Sequence, residues 1–267
     1  TPAELSDWAW RVPFVIGGVF GLISIYLRRF LQETPVFKKM RESKALAKFP
    51  LEEVVKTSRF GIWISMFITW VLTGCIVVFI LLMPGFVGGV LGFSPFETTY
   101  FQMGGLVCIV SSCWLTGRLA DKHNPSTLCI LFSAGFAVSS AAFFSLLYTA
   151  APVVSEVVLA YFATCFFAGI MNFCPIFMCD VFPARIRFSG ISFAYNIAYA
   201  LSGAFTPQLS FALHAYAKTH PDTLGAMGLS AYIVFLALVS IGTALAMRRV
   251  YKNGGAAVSQ MEFRPAP

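Results

Sequence analysis

The sequence predicts an all-α fold, a polytopic helical membrane protein with seven transmembrane helices. Three observations predict it. Of the 267 residues, 58% are hydrophobic and only 12% are charged, against about 25% charged in a soluble domain. The charges fall in clusters, and the runs between them are long enough to cross a bilayer. Lys and Arg also segregate to alternate connections, as membrane topology demands. A water-soluble core of this size offers little room for 28 Phe side chains, whereas lipid-facing helices accept them readily.

Composition also excludes several functions. The formal charge of +7 is spread in short blocks between apolar runs. It is not gathered on one face or in one tail, so nucleic acid is not a partner. Most of the seven cysteines lie inside apolar runs (Cys75, Cys108, Cys113, Cys165, Cys174), and no CxxC occurs. They read as reduced thiols acting as small hydrophobes, with neither a metal site nor a disulfide framework. The chain begins at Thr1 with no signal-peptide pattern, and Thr1 reads as other than the natural start.

Taken in order, Trp8 and Trp10 suit an interfacial belt, and Val12 to Leu27 forms span one, closed by Arg28-Arg29. Gly17, Gly18 and Gly21 give it small faces for close packing. Residues 30–59 mix six Lys and Arg between Lys38 and Lys56 with Glu33, Glu42, Glu52 and Glu53, and read as a loop with short amphipathic helices. Pro50 starts one, with Leu51, Val54 and Val55 on one stripe. Phe60 to Phe96 carries no charge over 37 residues. Pro84-Gly85 and Gly88-Gly89 punctuate it, so span two is expected over 60–83, followed by an uncharged extracytoplasmic segment. Span three is expected over Thr98 to Gly117. Span four follows over 127–148 with Ser126 as N-cap, and span five over 154–178. Span six is expected over 188–213, span seven over 224–247, and a disordered tail runs to Pro267.

Orientation follows from the count. Of the 19 Lys and Arg, 17 fall in the 28–59 loop, the two short connections at 118–122 and 185–187, and the tail. The other set of connections holds only Arg11 and Lys218. The long loop and the tail are therefore expected in the cytoplasm.

No Asp, Glu, Lys or Arg lies mid-span. A buried charge in lipid is costly and is kept for function, so a coupling acid must lie outside this chain. Uncharged polar and aromatic residues do lie at depth: Trp70, Thr73, Gln102, Asn172, Tyr195, Asn196 and Tyr199. They read either as interhelical ties worth about 1 kcal/mol each, or as a substrate cavity working through neutral polar groups and aromatic faces. Pro175 frees a backbone carbonyl one turn beyond Asn172 and suits a helix that bends or gates. Two charged connections stand out. One is Gly117-Arg118-Leu-Ala-Asp121-Lys122. The other is Asp180-Val-Phe-Pro183-Ala-Arg185-Ile-Arg187-Phe-Ser189-Gly190, set between two membrane-length apolar runs.

The second of these resembles the loop between helices 10 and 11 of the major facilitator superfamily, in its metabolite:proton symporter branch of proline/betaine, citrate, α-ketoglutarate and shikimate carriers. Trp10-Arg11-Val-Pro13-Phe14 resembles the W-R-I-P-F before helix 6, and Leu31-Gln-Glu33-Thr34-Pro35-Val-Phe37 the L-x-E-T-P-x-F after it. Met83-Pro84 falls at the family's M-P, Gly117 to Lys122 at the second copy of its G-x-L-x-D-R signature, and Tyr195-Asn196 at a frequent Y-N of helix 11. His123-Asn124-Pro125-Ser126 replaces the basic end of that signature.

The resemblance implies helices 6 to 12 of a twelve-helix secondary transporter in the cell inner membrane. It implies no cofactor, a proton as coupling ion and a small polar metabolite as substrate. Helices 1 to 5 are missing partners, and lipid is the surround. It implies a division into residues 1–31 (extracytoplasmic start and helix 6), 32–59 (inter-half loop), 60–249 (six-helix bundle) and 250–267 (tail). Trp70, Thr73, Gln102, Asn172, Tyr195, Asn196 and Tyr199 would bind substrate. Gly117, Arg118, Asp121, Lys122, Pro175, Asp180, Arg185 and Arg187 would gate. The rival reading is a truncated, non-transporting remnant or a seven-span sensor or scaffold. An enzyme is not expected, because no nucleophile–base pair lies at depth.

Overall fold

The computed structural model describes residues 7–30, 38, 41–42, 49–149, 151–220 and 224–252. Every regular element among them is helical. They belong to two units, one carrying α1 (Val12–Arg28) and one carrying everything from α2 (Pro50–Thr57) onward. The Leu31–Phe37 motif lies outside the described residues, as does the expected disordered tail beyond Lys252, while residues 250–252, expected in that tail, continue α10.

Within its own unit α1 is exposed along its length, and Arg11 stacks over the Trp10 ring at 4.6 Å. The second unit continues with α3 (Arg59–Cys75), a π-helical stretch (Ile76–Leu82) and α4 (Met83–Leu91). Then come α5 (Pro95–Ala120), α6 (Pro125–Leu147) and α7 (Val154–Phe167). A 3-10 stretch (Ala168–Asn172) leads into α8 (Phe173–Val181), followed by α9 (Ala184–Thr219) and α10 (Leu224–Lys252). α10 packs along α6, α9 along α3, and α7 against α5 and α6.

Among the described residues, six helical stretches are long and apolar enough to cross a membrane. They are Ala9–Arg28, Arg59–Leu91, Pro95–Ala120, Pro125–Leu147, Val154–Val181 and Met227–Lys252. The stretch read as span six lies in α9, whose 36 residues include Arg185, Arg187, Asn196, Gln208 and His214. Within residues 188–213 it is the uncharged polar and small residues, Asn196 and Gln208 among them, that lower the mean hydropathy.

Several helix ends differ from expectation, among them those of α9 and α10, which run longer than the expected 188–213 and 224–247, and two differences have a local cause. The second span does not stop at residue 83. It runs unbroken to Leu91 and ends at Gly92, whose φ of 69° is the left-handed conformation that favours glycine. Pro84 lies in the first turn of α4 but inside the continuous helix, so its missing N–H has to be made good by donors from elsewhere in the protein. The N-cap of α6 is Asn124 rather than Ser126, since the Asn124 side chain accepts from the Ser126 N–H at 2.9 Å and Pro125 fills the first helical position. The start of α5 carries a full capping box, with Ser94 and Glu97 each accepting from the other's backbone N–H.

Packing is aromatic and close. Phe79, Phe136, Phe143 and Phe144 are fully buried and touch ring to ring. Phe101 stacks on Tyr161 at 4.1 Å. Lipid gives no hydrophobic drive between helices, so association rests on such contacts and on small residues that let backbones approach. One such approach is at the end of the bundle where α8 turns into α9. There the fully buried Phe182 ring lies between Gly61 of α3 and Gly190 of α9. A Cβ would stand 2.9 Å from the ring at Gly61 and 2.6 Å from it at Gly190.

Gly190→Ala is therefore expected to destabilise by about 1–3 kcal/mol through overpacking. Gly203→Ala on the same helix, with nothing within 4 Å of its would-be Cβ, is expected to be neutral or slightly stabilising. Thermal unfolding of the two variants in detergent checks the contrast.

Candidate functional site

The polar residues at depth gather in three places. In the first, the Trp70 indole N–H donates to the Tyr232 hydroxyl at 3.2 Å. That hydroxyl is also 2.7 Å from the Thr206 hydroxyl. Phe205 meets the Trp70 ring edge-on at 6.1 Å. With its N–H committed to Tyr232, the half-buried indole can offer another group only its π face. Thr73, one turn on, is buried and donates back to the Thr69 carbonyl at 2.9 Å, so its proton stays within α3.

The second place is a cleft of about 480 Å³ among α3, α8 and α9, lined by Leu72, Cys174, Pro175, Met178, Ile191 and Tyr195. Its surface is apolar apart from sulfur and the Tyr195 phenol. Tyr195 stacks on Tyr199 at 5.4 Å. Asn196 is exposed and donates to the Ser192 carbonyl of its own helix at 2.7 Å.

The third place joins α5 to its neighbours. The Asn172 amide closes the 3-10 stretch and donates at 3.2 Å both to the Cys113 carbonyl and to the Thr116 hydroxyl. It also lies against Gly117. The Gln102 amide donates to the Ile80 carbonyl at 2.5 Å. The seven candidates thus do not line one cavity. Trp70, Tyr195 and Tyr199 keep aromatic surface accessible, while Thr73, Gln102 and Asn172 spend donors inside the protein.

The charged connections have partners of their own. Asp180 accepts from the Tyr251 hydroxyl of α10. Arg185 pairs with Glu53 of α2, and Arg187 Nε donates to the Phe182 carbonyl at 3.1 Å. Val54, Phe182 and Ile186 form a small apolar cluster beneath the Arg185 pair. Arg185 and Glu53 keep part of their surface in water, so their attraction is worth no more than about 1 kcal/mol. On the other connection, Arg118 stacks over Trp114 at 3.9 Å. Asp121 caps the C-terminus of α5, where the helix dipole disfavours a carboxylate, and Lys122 beside it is exposed.

Sequence reasoning missed Glu53, Tyr161, Thr206, Tyr232 and Tyr251. Glu53 sat in an evident amphipathic helix, but its partner lies 132 residues away. No local pattern marks the three tyrosines. The stripe expected on α2 splits, with Val54 buried and Leu51 and Val55 exposed.

Asn172→Leu is expected to cost about 1–2 kcal/mol, since two interhelical hydrogen bonds are lost. Asn196→Leu, which removes only a bond within α9, is expected to cost less than about 0.5 kcal/mol. Unfolding midpoints of the two variants measure the difference.

Comparison with known proteins completes the description. The family model of the Major Facilitator Superfamily matches residues 3–207. The inner membrane metabolite transport protein YhjE of Escherichia coli K12 is 28% identical over 243 residues, covering 86% of this chain and 52% of that protein. The citrate-proton symporter of Klebsiella pneumoniae is 28% identical over 222 residues, covering 80% of this chain and 48% of that protein. The alpha-ketoglutarate permease of E. coli K12 is 23% identical over 211 residues, covering 79% and 48%. The chain spans about half the length of the curated relatives it matches. No solved structure matches it. The chain therefore belongs to the Major Facilitator Superfamily, in the company of metabolite and proton-symport carriers and not of enzymes.

Proposed function

We propose that this chain is the carboxy-terminal part of a twelve-helix secondary active transporter that carries a small polar metabolite, zwitterion or organic acid, by proton-coupled symport. The observation that carries the reading is the ordered series of motifs from Trp10 to Asn196, in a chain that spans about half of its relatives. On this reading there are seven spans. α1 is helix 6, α3 with α4 is helix 7, and α9 is helix 11 despite its polar surface. Residues 1–31, 32–59, 60–249 and 250–267 are then the start with helix 6, the inter-half loop, the bundle of helices 7 to 12 and the tail. The 17 Lys and Arg on one set of connections support a cytoplasmic long loop and C-terminus in the inner membrane.

Transport would proceed by rocking of two halves about a midplane site. Trp70, half-buried with its N–H committed to Tyr232, and the Tyr195–Tyr199 pair supply the aromatic contacts to substrate. Thr73, Gln102, Asn172 and Asn196 frame them. Gly117, Arg118, Asp121, Lys122, Pro175, Asp180, Arg185 and Arg187 serve the gate at the cytoplasmic end. Such a gate needs contacts that differ in energy between two states. Arg185 meets that need by pairing with Glu53 here and with the other half in the alternate state. Asp121, held against the dipole of α5, is likewise placed for a partner outside this chain. The proton-binding charges belong to the preceding helices, so this chain alone does not transport.

The full-length protein in proteoliposomes should accumulate at least one labelled metabolite from a panel of citrate, α-ketoglutarate, proline and betaine, and more so under a proton gradient. Uptake of none, or uptake indifferent to the gradient, contradicts the reading. Neutralising Arg185 and Arg187 together should lower the maximal rate about tenfold, the scale of a coupling energy of 1–2 kcal/mol. Insertion should be intact, and unchanged uptake rejects the gate.

A further inference from the structure

Inside lipid every backbone carbonyl needs a donor from the protein, because water is absent and an unpaired group costs several kcal/mol. The helix formed by α3, the π-helical stretch and α4 breaks this rule internally. Its register changes from i→i+5 to i→i+4 after Leu82, and the second residue of the new register is Pro84, which has no N–H. In α register the missing donor is the one owed to Ile80, and in π register the one owed to Phe79.

Both carbonyls are nevertheless paired, by side chains from two other helices. Gln102 of α5 donates to Ile80 at 2.5 Å, and the Tyr161 hydroxyl of α7 donates to Phe79 at 3.0 Å. Neither donor is there by chance of surface. Tyr161 is buried, stacked on Phe101 at 4.1 Å and seated against Gly105, where a Cβ would come within 2.5 Å of its ring. Phe101, Gln102 and Gly105 are consecutive positions of one face of α5, so a single helix face seats one donor and supplies the other.

We infer that Gln102 and Tyr161 are positioning residues for a hinge at Ile76–Pro84. They carry the two carbonyls that Pro84 and the register change strand, and so let the helix alter its bend without exposing bare backbone to lipid. The inference rests on the transport reading for its purpose, since a carrier needs helices that bend between states, but not for its chemistry. It gives Gln102 a role other than touching substrate.

The test is a set of mutant cycles in the full-length protein, with Gln102→Leu and Tyr161→Phe made in the native and the Pro84→Ala backgrounds. Tyr161→Phe removes one hydroxyl and no bulk, which guards against misfolding of the other variant. Two readouts are taken. One is substrate-dependent uptake of the metabolite the carrier moves. The other is the unfolding midpoint, followed with a fluorogenic maleimide after exposed thiols such as Cys179 have been blocked in the folded protein, so that the signal reports the buried Cys75, Cys129, Cys165 and Cys174.

With Pro84 present, each variant should lower the maximal rate roughly fivefold, the scale of one net hydrogen bond, with KM unchanged and the midpoint lowered. With Pro84→Ala, the restored N–H at position 84 reaches Ile80, and the Gln102→Leu penalty should shrink below about twofold in rate and vanish in the midpoint. Equal Gln102→Leu penalties in both backgrounds overturn the inference, as does a Gln102→Leu variant whose KM rises whatever occupies position 84. If the protein moves no substrate, the midpoint cycle alone decides the pairing, so failure of the transport reading and failure of this inference are told apart.

Discussion

The constraint on which the rest of the structure depends is that backbone polar groups at depth must be satisfied within the protein. It explains how the chain uses its hydroxyls. Thr73, Thr116, Ser133, Thr164, Ser202 and Thr243 are buried or partly buried and return their protons to carbonyls one turn earlier. It explains the joints between helices, where Asn172 ties the 3-10 stretch to α5 and Ser133 meets Ser240 at 2.8 Å between α6 and α10. It also explains why a 33-residue apolar stretch with a proline in it stays helical from Arg59 to Leu91. The tolerance lies in neighbouring helices that reach over with donors, not in the stretch itself.

The end of the bundle that carries the charged connections obeys a different logic. There Phe182 is a wedge between two glycines, with Val54 and Ile186 closing the apolar side. The ring fixes the turn between α8 and α9, and the ionic contacts around it are individually weak. Weak, partly wet pairs over a rigid apolar seat suit a contact that must be exchanged rather than kept. The same turn reaches α2 through Arg185 and α10 through Asp180, so a movement of the turn is felt by both elements.

Much of this was legible in the sequence, and the limits are physical. Helix existence followed from the length of apolar runs between charges, and those runs sit in helices. Local chemistry misled at two points. Pro84-Gly85 and Gly88-Gly89 look like a stop, because nothing near them in sequence announces Tyr161 and Gln102, which make the continuation possible. Ser126 looks like a cap, yet Asn124 takes that place because the proline that follows it fits the first helical position. At the candidate site, the residue types at depth were legible but their partners were not. Trp70 finds Tyr232 at a separation of 162 residues, and Arg185 finds Glu53 across 132. Such pairs are set by how helices cross, and hydropathy carries no record of it.

On the proposed reading, this chain is one part of a two-part carrier. The most direct test of that reading is to reconstitute the chain alone, and the chain with the preceding part of the full-length protein supplied as a separate polypeptide, and to measure metabolite uptake from both. The account predicts uptake only when the two parts are present together. Uptake by the chain alone at the rate of the pair would contradict it.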